Sequence, residues 1–235
     1  MVEAPINGDQ AAKQAAALYA ACMVEDGMIV GLGTGSTAAP FVRELGARVR
    51  AGLRVTGVAT SDATARLARG EGIALTTLED RPRLDMDIDG ADAVDPALNL
   101  VKGLGGALLR EKIVAFAAKR FVVVVHRAKM VSSLAEVPLI PVEIVQFGWS
   151  RTRDELEELG ATATRRVAHE GSERPFITDG GNFILDCTFT QMLDPGETAA
   201  RVKGLIGVVE HGLFVGMATD VVIGDSAGQV EVLRR

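Results

Sequence analysis

The hydrophobic pattern changes period repeatedly, helical spacing giving way to alternation and back. An alanine-rich stretch with Asp9 as N-cap predicts a helix to about Met23, with Lys13 in its first turn. Residues 28–32 (MIVGL) form a short apolar run, read as a strand buried on both faces. Residues 33–37 (GTGST) lead from it into a helix through Phe41, Val42 and Leu45. Strands are predicted over 54–59 and 73–75, around a helix capped by Thr60, Ser61 and Asp62 with Leu67 on its apolar face. In 84–89 (LDMDID), Leu84, Met86 and Ile88 alternate with Asp85, Asp87 and Asp89, the period-2 signature of a strand. Gly90 breaks that strand and places Asp89 and Asp92 on a turn at its end. A second turn, 102–106 (KGLGG), opens a helix whose apolar positions are Leu108, Leu109, Ile113, Phe116 and Ala117 and which contains Glu111. Residues 121–125 (FVVVV) are the most apolar strand and take a central position, with His126, Arg127 and Lys129 at its C-terminal end.

Around Leu139 the pattern changes. Residues 140–145 alternate, 153–159 form an amphipathic helix, 162–167 and 183–188 read as strands, and a helix starts near Pro195. Asp179, Gly180, Gly181 and Asn182 form a hairpin turn before the second of those strands. Strands separated by turns indicate a small α+β domain over 132–206. Residues 208–214, 221–223 and 230–233 are expected to return and complete the first domain, 1–131 with 207–235. The expected fold class is α/β: a mostly parallel sheet plus a smaller α+β domain.

With 48% hydrophobic and 24% charged residues, the 235-residue chain has the balance of a globular protein. Its net charge of −6 and lack of a basic tract argue against nucleic-acid binding. No signal peptide and no run of about 18 apolar residues is visible, so a cytoplasmic location without membrane spanning is expected. Cys22 and Cys187, and the scattered His126, His169 and His211, have no metal or redox spacing.

The 33–37 loop is neither a dinucleotide fingerprint, since Ser36 stands where the third glycine belongs, nor a P-loop, since no G-K-[ST] follows. Its hydroxyls, free N–H groups and helix N-terminus make a phosphate or carboxylate cradle; a tight turn capped by Ser36 is the plainer reading. Lys13 alone reads by default as a solvated surface lysine. Asp87, Asp89 and Asp92 are candidate Mg²⁺ ligands, but Lys102 after them suits a phosphate or an oxyanion better. A cradle, acids near a lysine and a carboxylate on a helix fit proton abstraction beside a carbonyl on a small phosphorylated substrate.

From about Lys13 onward the chain resembles the A-type ribose-5-phosphate isomerases. The resemblance rests on GTGST (33–37), SDAT (61–64), DGAD (89–92), the glycine-rich run from Lys102 to Lys112, Lys129, PVE (141–143) and TDGGN…LD, in the family's order. It implies a Rossmann-like domain, a homodimer or homotetramer, and neither cofactor nor metal. It further implies interconversion of ribose 5-phosphate and ribulose 5-phosphate through a cis-enediolate, in the non-oxidative pentose phosphate pathway. The family's catalytic base falls on Glu111. Its substrate-binding segments fall on Thr34, Gly35, Ser36 and Thr37; on Asp89, Gly90, Ala91 and Asp92; on Lys102, Gly103, Leu104 and Gly105; and on Lys129, with Lys13 a further phosphate candidate. Asp89 and Lys102, with Asp92, are the expected acid–base groups for opening the sugar ring. Two positions depart from the pattern: Ala93 replaces a frequent Glu, and Leu104 interrupts the glycine run. A sugar-phosphate sensor, an amino-sugar phosphate deaminase and a CoA-transferase-like enzyme are the alternatives on related architecture. The expectation of no metal is tested by exhaustive chelation, which should leave turnover intact. Loss on EDTA with recovery on Mg²⁺ or Mn²⁺ would reassign the three aspartates as ligands.

Overall fold

The computed structural model describes residues 8–189 and 194–235, which fall into two compact units. The first comprises residues up to 91, 113–130 and 217–235; the second comprises 92–112 and 131–216. Residues 92–112, expected with the first domain, cluster with the second unit, because their short strands and loop bond to segments of that unit.

The first unit is a seven-stranded sheet with helices. In chain order it contains α1 (Gly8–Cys22), β1 (Ile29–Leu32), α2 (Ala38–Arg50), β2 (Thr56–Ala59), α3 (Asp62–Gly70), β3 (Ala74–Leu75) and β4 (Met86–Gly90). The other strands are numbered with β5 (Ala93–Val94) and β6 (Leu100–Val101), which belong to the second unit, counted first. The sheet is completed by β7 (Phe121–His126) and the two C-terminal strands β13 (Asp220–Gly224) and β14 (Val230–Arg234), in the order β14-β13-β7-β4-β1-β2-β3. Every pairing is parallel except that of edge strand β14 with β13. β7 is buried at every position, as its unbroken apolar sequence requires of a strand covered on both faces. Ala16, Ala17, Ala20 and Ala21 of α1 and Phe41, Val42 and Leu45 of α2 pack on Val30, Leu32, Ile88, Val122 and Val124. Alanines let α1 approach closely; at Gly224 of β13 any Cβ would collide with the Ala12 carbonyl.

β4 begins at Met86 rather than Leu84, and its aspartates do not face water: Asp87 and Asp89 are fully buried. The room comes from β1 and the loop after it, since a Cβ on Gly31 would strike the Asp87 carboxylate and one on Gly33 the Asp89 carboxylate. Asp85 accepts the Ile29 N–H at 3.0 Å and pairs with Lys119.

In the second unit β8 (Ile140–Ile144), α5 (Trp149–Glu158), β9 (Ala161–Arg165), β10 (Phe183–Phe189), α6 (Pro195–Lys203) and β11 (Val208–His211) form an antiparallel sheet, ordered β11-β8-β10-β9, with two helices. A smaller sheet pairs β5, β6 and β12 (Leu213–Phe214). Buried Glu143 accepts hydrogen bonds from Thr178 Oγ1 (2.8 Å) and Asn182 Nδ2 (2.9 Å), locking the glycine-rich turn to β8.

Two expectations fail. Residues 208–214 do not rejoin the parallel sheet: β11 pairs with β8 and β12 with β6, on either side of Gly212. A run of alternating apolar residues does not say which sheet it joins. The helix containing Glu111, α4 (Leu108–Ala117), also turns a different face inward. Leu108, Glu111, Val114 and Ala115 are buried, whereas Ile113 and Phe116 are 48% and 85% exposed. A carboxylate occupies a core-facing position there, so hydrophobicity alone misplaces the stripe.

The crowding at Gly33 predicts that Gly33→Ala, whose Cβ would come within 2.5 Å of the Asp89 Cα, destabilises the fold by about 1–3 kcal/mol. Denaturant titration checks it; unchanged stability would mean that the loop shifts freely.

Candidate active site

In the first unit the chain leaves β1 at Leu32 and crosses 33–37 before α2 begins at Ala38. The turn needs glycine at 35, whose φ is 102°. Asp89 fixes its start: one carboxylate oxygen, Oδ1, accepts the N–H of Thr34 at 2.9 Å and of Gly90 at 2.7 Å. The Thr34 hydroxyl points to Thr60, Ser61 and Thr64, at 2.7, 2.8 and 3.0 Å, so it braces the loop against the start of α3. Ser61, as expected, caps that helix by accepting the Thr64 N–H. Ser36 is exposed, and Lys13 donates to its Oγ at 3.2 Å. Buried Thr37 is the N-cap residue of α2 and makes no side-chain capping bond. A cleft of about 570 Å³ opens there, lined by Lys13, Gln14, Ser36 and Arg43 among others. Arg43, a surface residue of α2, carries no motif and is invisible in the sequence.

Lys129 lies in a short 3-10 turn after β7. Burial depresses the pKa of His126 below its ordinary value; Asp9 opposes this, and the charges of Lys13 and Lys129 reinforce it.

In the second unit Asp92 follows Ala91 and accepts the Leu104 N–H at 3.0 Å. The loop 102–106 curls through positive φ at Gly103 (95°) and Gly106 (85°), whereas Leu104 has none. The missing glycine is therefore not needed. Gly103 also clears the Leu108 Cβ, which a side chain would meet at 2.6 Å, and Gly106 clears the Phe176 ring. Arg166, paired with Asp186, donates to the Leu104 carbonyl at 2.9 Å, an anchor that the sequence did not reveal. Gly105 is exposed within the loop.

Lys102 and Glu111 meet at 3.4 Å, with side chains only 3% and 5% exposed. Glu111 lies in the first turn of α4, where the helix dipole favours its anion. Next to it, Lys112 donates to Glu210 Oε1 (2.7 Å), the His211 carbonyl (2.6 Å) and the Leu213 carbonyl (2.9 Å). Burial pushes the Glu210 carboxyl up, but Lys112 and Lys203 override it and hold the group at about 2. Burial, reinforced by Lys112 and Lys203 and opposed by Glu210, brings His211 down to about 4. Its Nδ1 accepts the Leu213 N–H, consistent with a neutral ring.

Among the described residues no group of three or more His, Cys, Asp or Glu side chains could hold a metal ion, and no helix is long and apolar enough to cross a membrane. Within the first unit Lys13 meets Ser36 and Thr34 meets Asp89; within the second, Asp92 meets the glycine loop and Lys102 meets Glu111. A parallel sheet with a hydroxyl-rich loop at its carboxyl edge, and a buried lysine–glutamate pair, together define an α/β enzyme. Residues 56–228 match the family model of ribose 5-phosphate isomerase A (phosphoriboisomerase A). The chain is 52% identical over 222 residues to a ribose-5-phosphate isomerase A of Gloeobacter violaceus, covering 94% of this chain and 95% of that one. It is also similar to the solved ribose 5-phosphate isomerase A of Methanocaldococcus jannaschii, with TM-score 0.89, 40% identity, and 95% and 98% of the two chains covered. A D-ribose-5-phosphate isomerase solved in complex with phospho-erythronic acid gives TM-score 0.90 and 38% identity, over 95% and 97% of the chains. The chain belongs to the ribose 5-phosphate isomerase A family and is an isomerase.

The titration of His211 predicts a pH dependence of stability. The unfolded imidazole has its ordinary pKa of 6.5 and the folded one about 4, so the unfolded state binds the extra proton between those values. The penalty for folding a neutral ring therefore grows as pH falls from 6.5 to about 4, then levels off. Glu210 acts in a lower window: its contribution is full above 4.5 and is lost as pH falls toward about 2. Denaturant titrations should show a shallower loss for His211→Gln than for the parent between pH 6.5 and 4. Equal slopes would mean that His211 protonates without cost.

Proposed function

We propose that the chain interconverts ribose 5-phosphate and ribulose 5-phosphate by proton transfer through a cis-enediolate, within the non-oxidative pentose phosphate pathway. The observation that carries this reading is the buried pairing of Glu111 with Lys102. The phosphate is held by Ser36, Thr37 and the backbone N–H groups of residues 35–37, with Lys13 and Lys129 supplying positive charge. Thr34 and Gly35 shape that loop. Asp89, Gly90, Ala91 and Asp92, with Lys102, Gly103, Leu104 and Gly105, bind the sugar, and Asp89, Asp92 and Lys102 move the protons that open its ring.

In the open aldose Glu111 removes the C2 proton. The electrons of that C–H bond form the C1–C2 double bond, and charge develops on O1, where the Lys102 ammonium stabilises it. The carboxylic acid then returns its proton to C1 while the O2–H proton passes to O1, so that C2 becomes the carbonyl and O1 the hydroxyl of the ketose. A carboxylate on a phosphorylated four-carbon chain, as in the phospho-erythronic acid bound to the solved relative, resembles the charge of such an enediolate and supports this reading.

The enzyme works in the cytoplasm as a homodimer or homotetramer. Support for self-association comes from Phe116, Phe147 and Ile206, apolar side chains 85%, 95% and 93% exposed.

Glu111→Gln keeps the size of the side chain and removes the proton acceptor. Turnover should fall by roughly 10²–10⁴-fold, the worth of a positioned general base, with little change in affinity for phospho-erythronic acid. Near-parental turnover would remove Glu111 from the mechanism and make Asp89 the next residue to test.

A further inference from the structure

Lys102 meets Glu111 at one end of a larger arrangement. Its ammonium lies 5.6 Å from the centroid of the Phe214 ring, and the ammonium of Lys112 lies 4.7 Å from the same centroid. Phe214 is fully buried on β12, opposite Leu100 of β6, two residues before Lys102. The Lys102 N–H donates to the Gly212 carbonyl at 2.8 Å, and glycine is required there because any Cβ would strike the Lys102 carbonyl. The three donors of Lys112 end on Glu210, His211 and Leu213, the residues that flank Gly212. The residue beside Glu111 on α4 therefore grips the strand pair that seats Lys102 and carries the ring facing its ammonium.

We propose that Phe214 and Lys112 are positioning residues for the isomerase reaction, fixing the Lys102 ammonium against Glu111. This rests on the roles given above to Lys102 and Glu111. The electron-rich face of a desolvated ring attracts an ammonium and limits where it sits. Lys112 fixes the ring by fixing the backbone on both sides of Gly212. Neither residue touches the sugar; each acts through Lys102.

Phe214→Leu keeps an apolar side chain and removes the π face, while Phe214→Tyr restores the face. With folding confirmed by circular dichroism, Phe214→Leu should lower kcat for ribose 5-phosphate by about 10-fold, within the worth of a desolvated cation–π contact, leaving KM within about twofold. Phe214→Tyr should recover most of the loss. Lys112→Arg keeps the charge but changes the donor geometry, and should lower kcat in the same way without raising KM. Parental kcat in Phe214→Leu, or equal losses in the Leu and Tyr variants, would overturn the proposal. If Phe214→Leu fails to fold, the Lys112→Arg and Phe214→Tyr measurements decide alone: unchanged kcat in the former, or a kcat in the latter far below the parent, rejects it. Glu111→Gln and Lys102→Met run beside them separate the two levels. If both of these lose turnover while Phe214→Leu does not, only the positioning proposal fails; if both retain it, the catalytic reading itself fails.

Discussion

A lysine and a glutamate buried together at 3.4 Å are the constraint around which the second unit is arranged. Taking both charges out of water costs several kcal/mol each, and their attraction offsets this only when geometry and further partners are good. The surrounding sequence supplies that geometry. Gly103 and Gly106 let the loop curl tightly enough to present Lys102, Gly212 lets a neighbouring strand reach its backbone, and Lys112 secures that strand. A pair that contributes little net stability is retained where its placement is useful. The roles proposed for Glu111 and Lys102, accepting a proton and meeting a nascent oxyanion, are such a use.

The first unit follows a parallel logic with a different charge. Buried Asp89 holds the beginning of the 33–37 loop through two N–H groups, and Gly33 vacates the space that its carboxylate occupies. With Thr34 turned inward to three hydroxyl-bearing residues of the next turn, the exposed part of the loop is Gly35 and Ser36, beside Lys13. Buried groups therefore fix the loop's shape, and the exposed ones are those proposed to meet the substrate phosphate.

Much of this was legible in the chain. The parallel sheet followed from short apolar runs alternating with helical spacing, and FVVVV lies inside the sheet as a run of that kind must. Ser61 as a cap was readable because capping is local chemistry. What escaped depended on partners distant in sequence. The two-residue strands β5 and β6 have no period to detect, and 208–214 joined two antiparallel sheets because their pairing is set by Pro141, Lys102 and Gly212. Glu111 displaced the expected apolar stripe of α4, since a charged residue inside a core is visible only once its lysine is placed. Arg166 and Arg43 belong to no motif, and only the fold brings them to the loop and the cleft.

In the proposed mechanism a carboxylate transfers the proton between C2 and C1. Turnover of ribose 5-phosphate in D₂O, followed by NMR of ribulose 5-phosphate after many turnovers, tests it most directly. A proton held on Glu111 exchanges with solvent in some fraction of turnovers, so deuterium should accumulate at one of the two C1 positions. Product that remains free of deuterium at C1 after prolonged cycling would contradict the account and indicate direct hydride transfer between the two carbons.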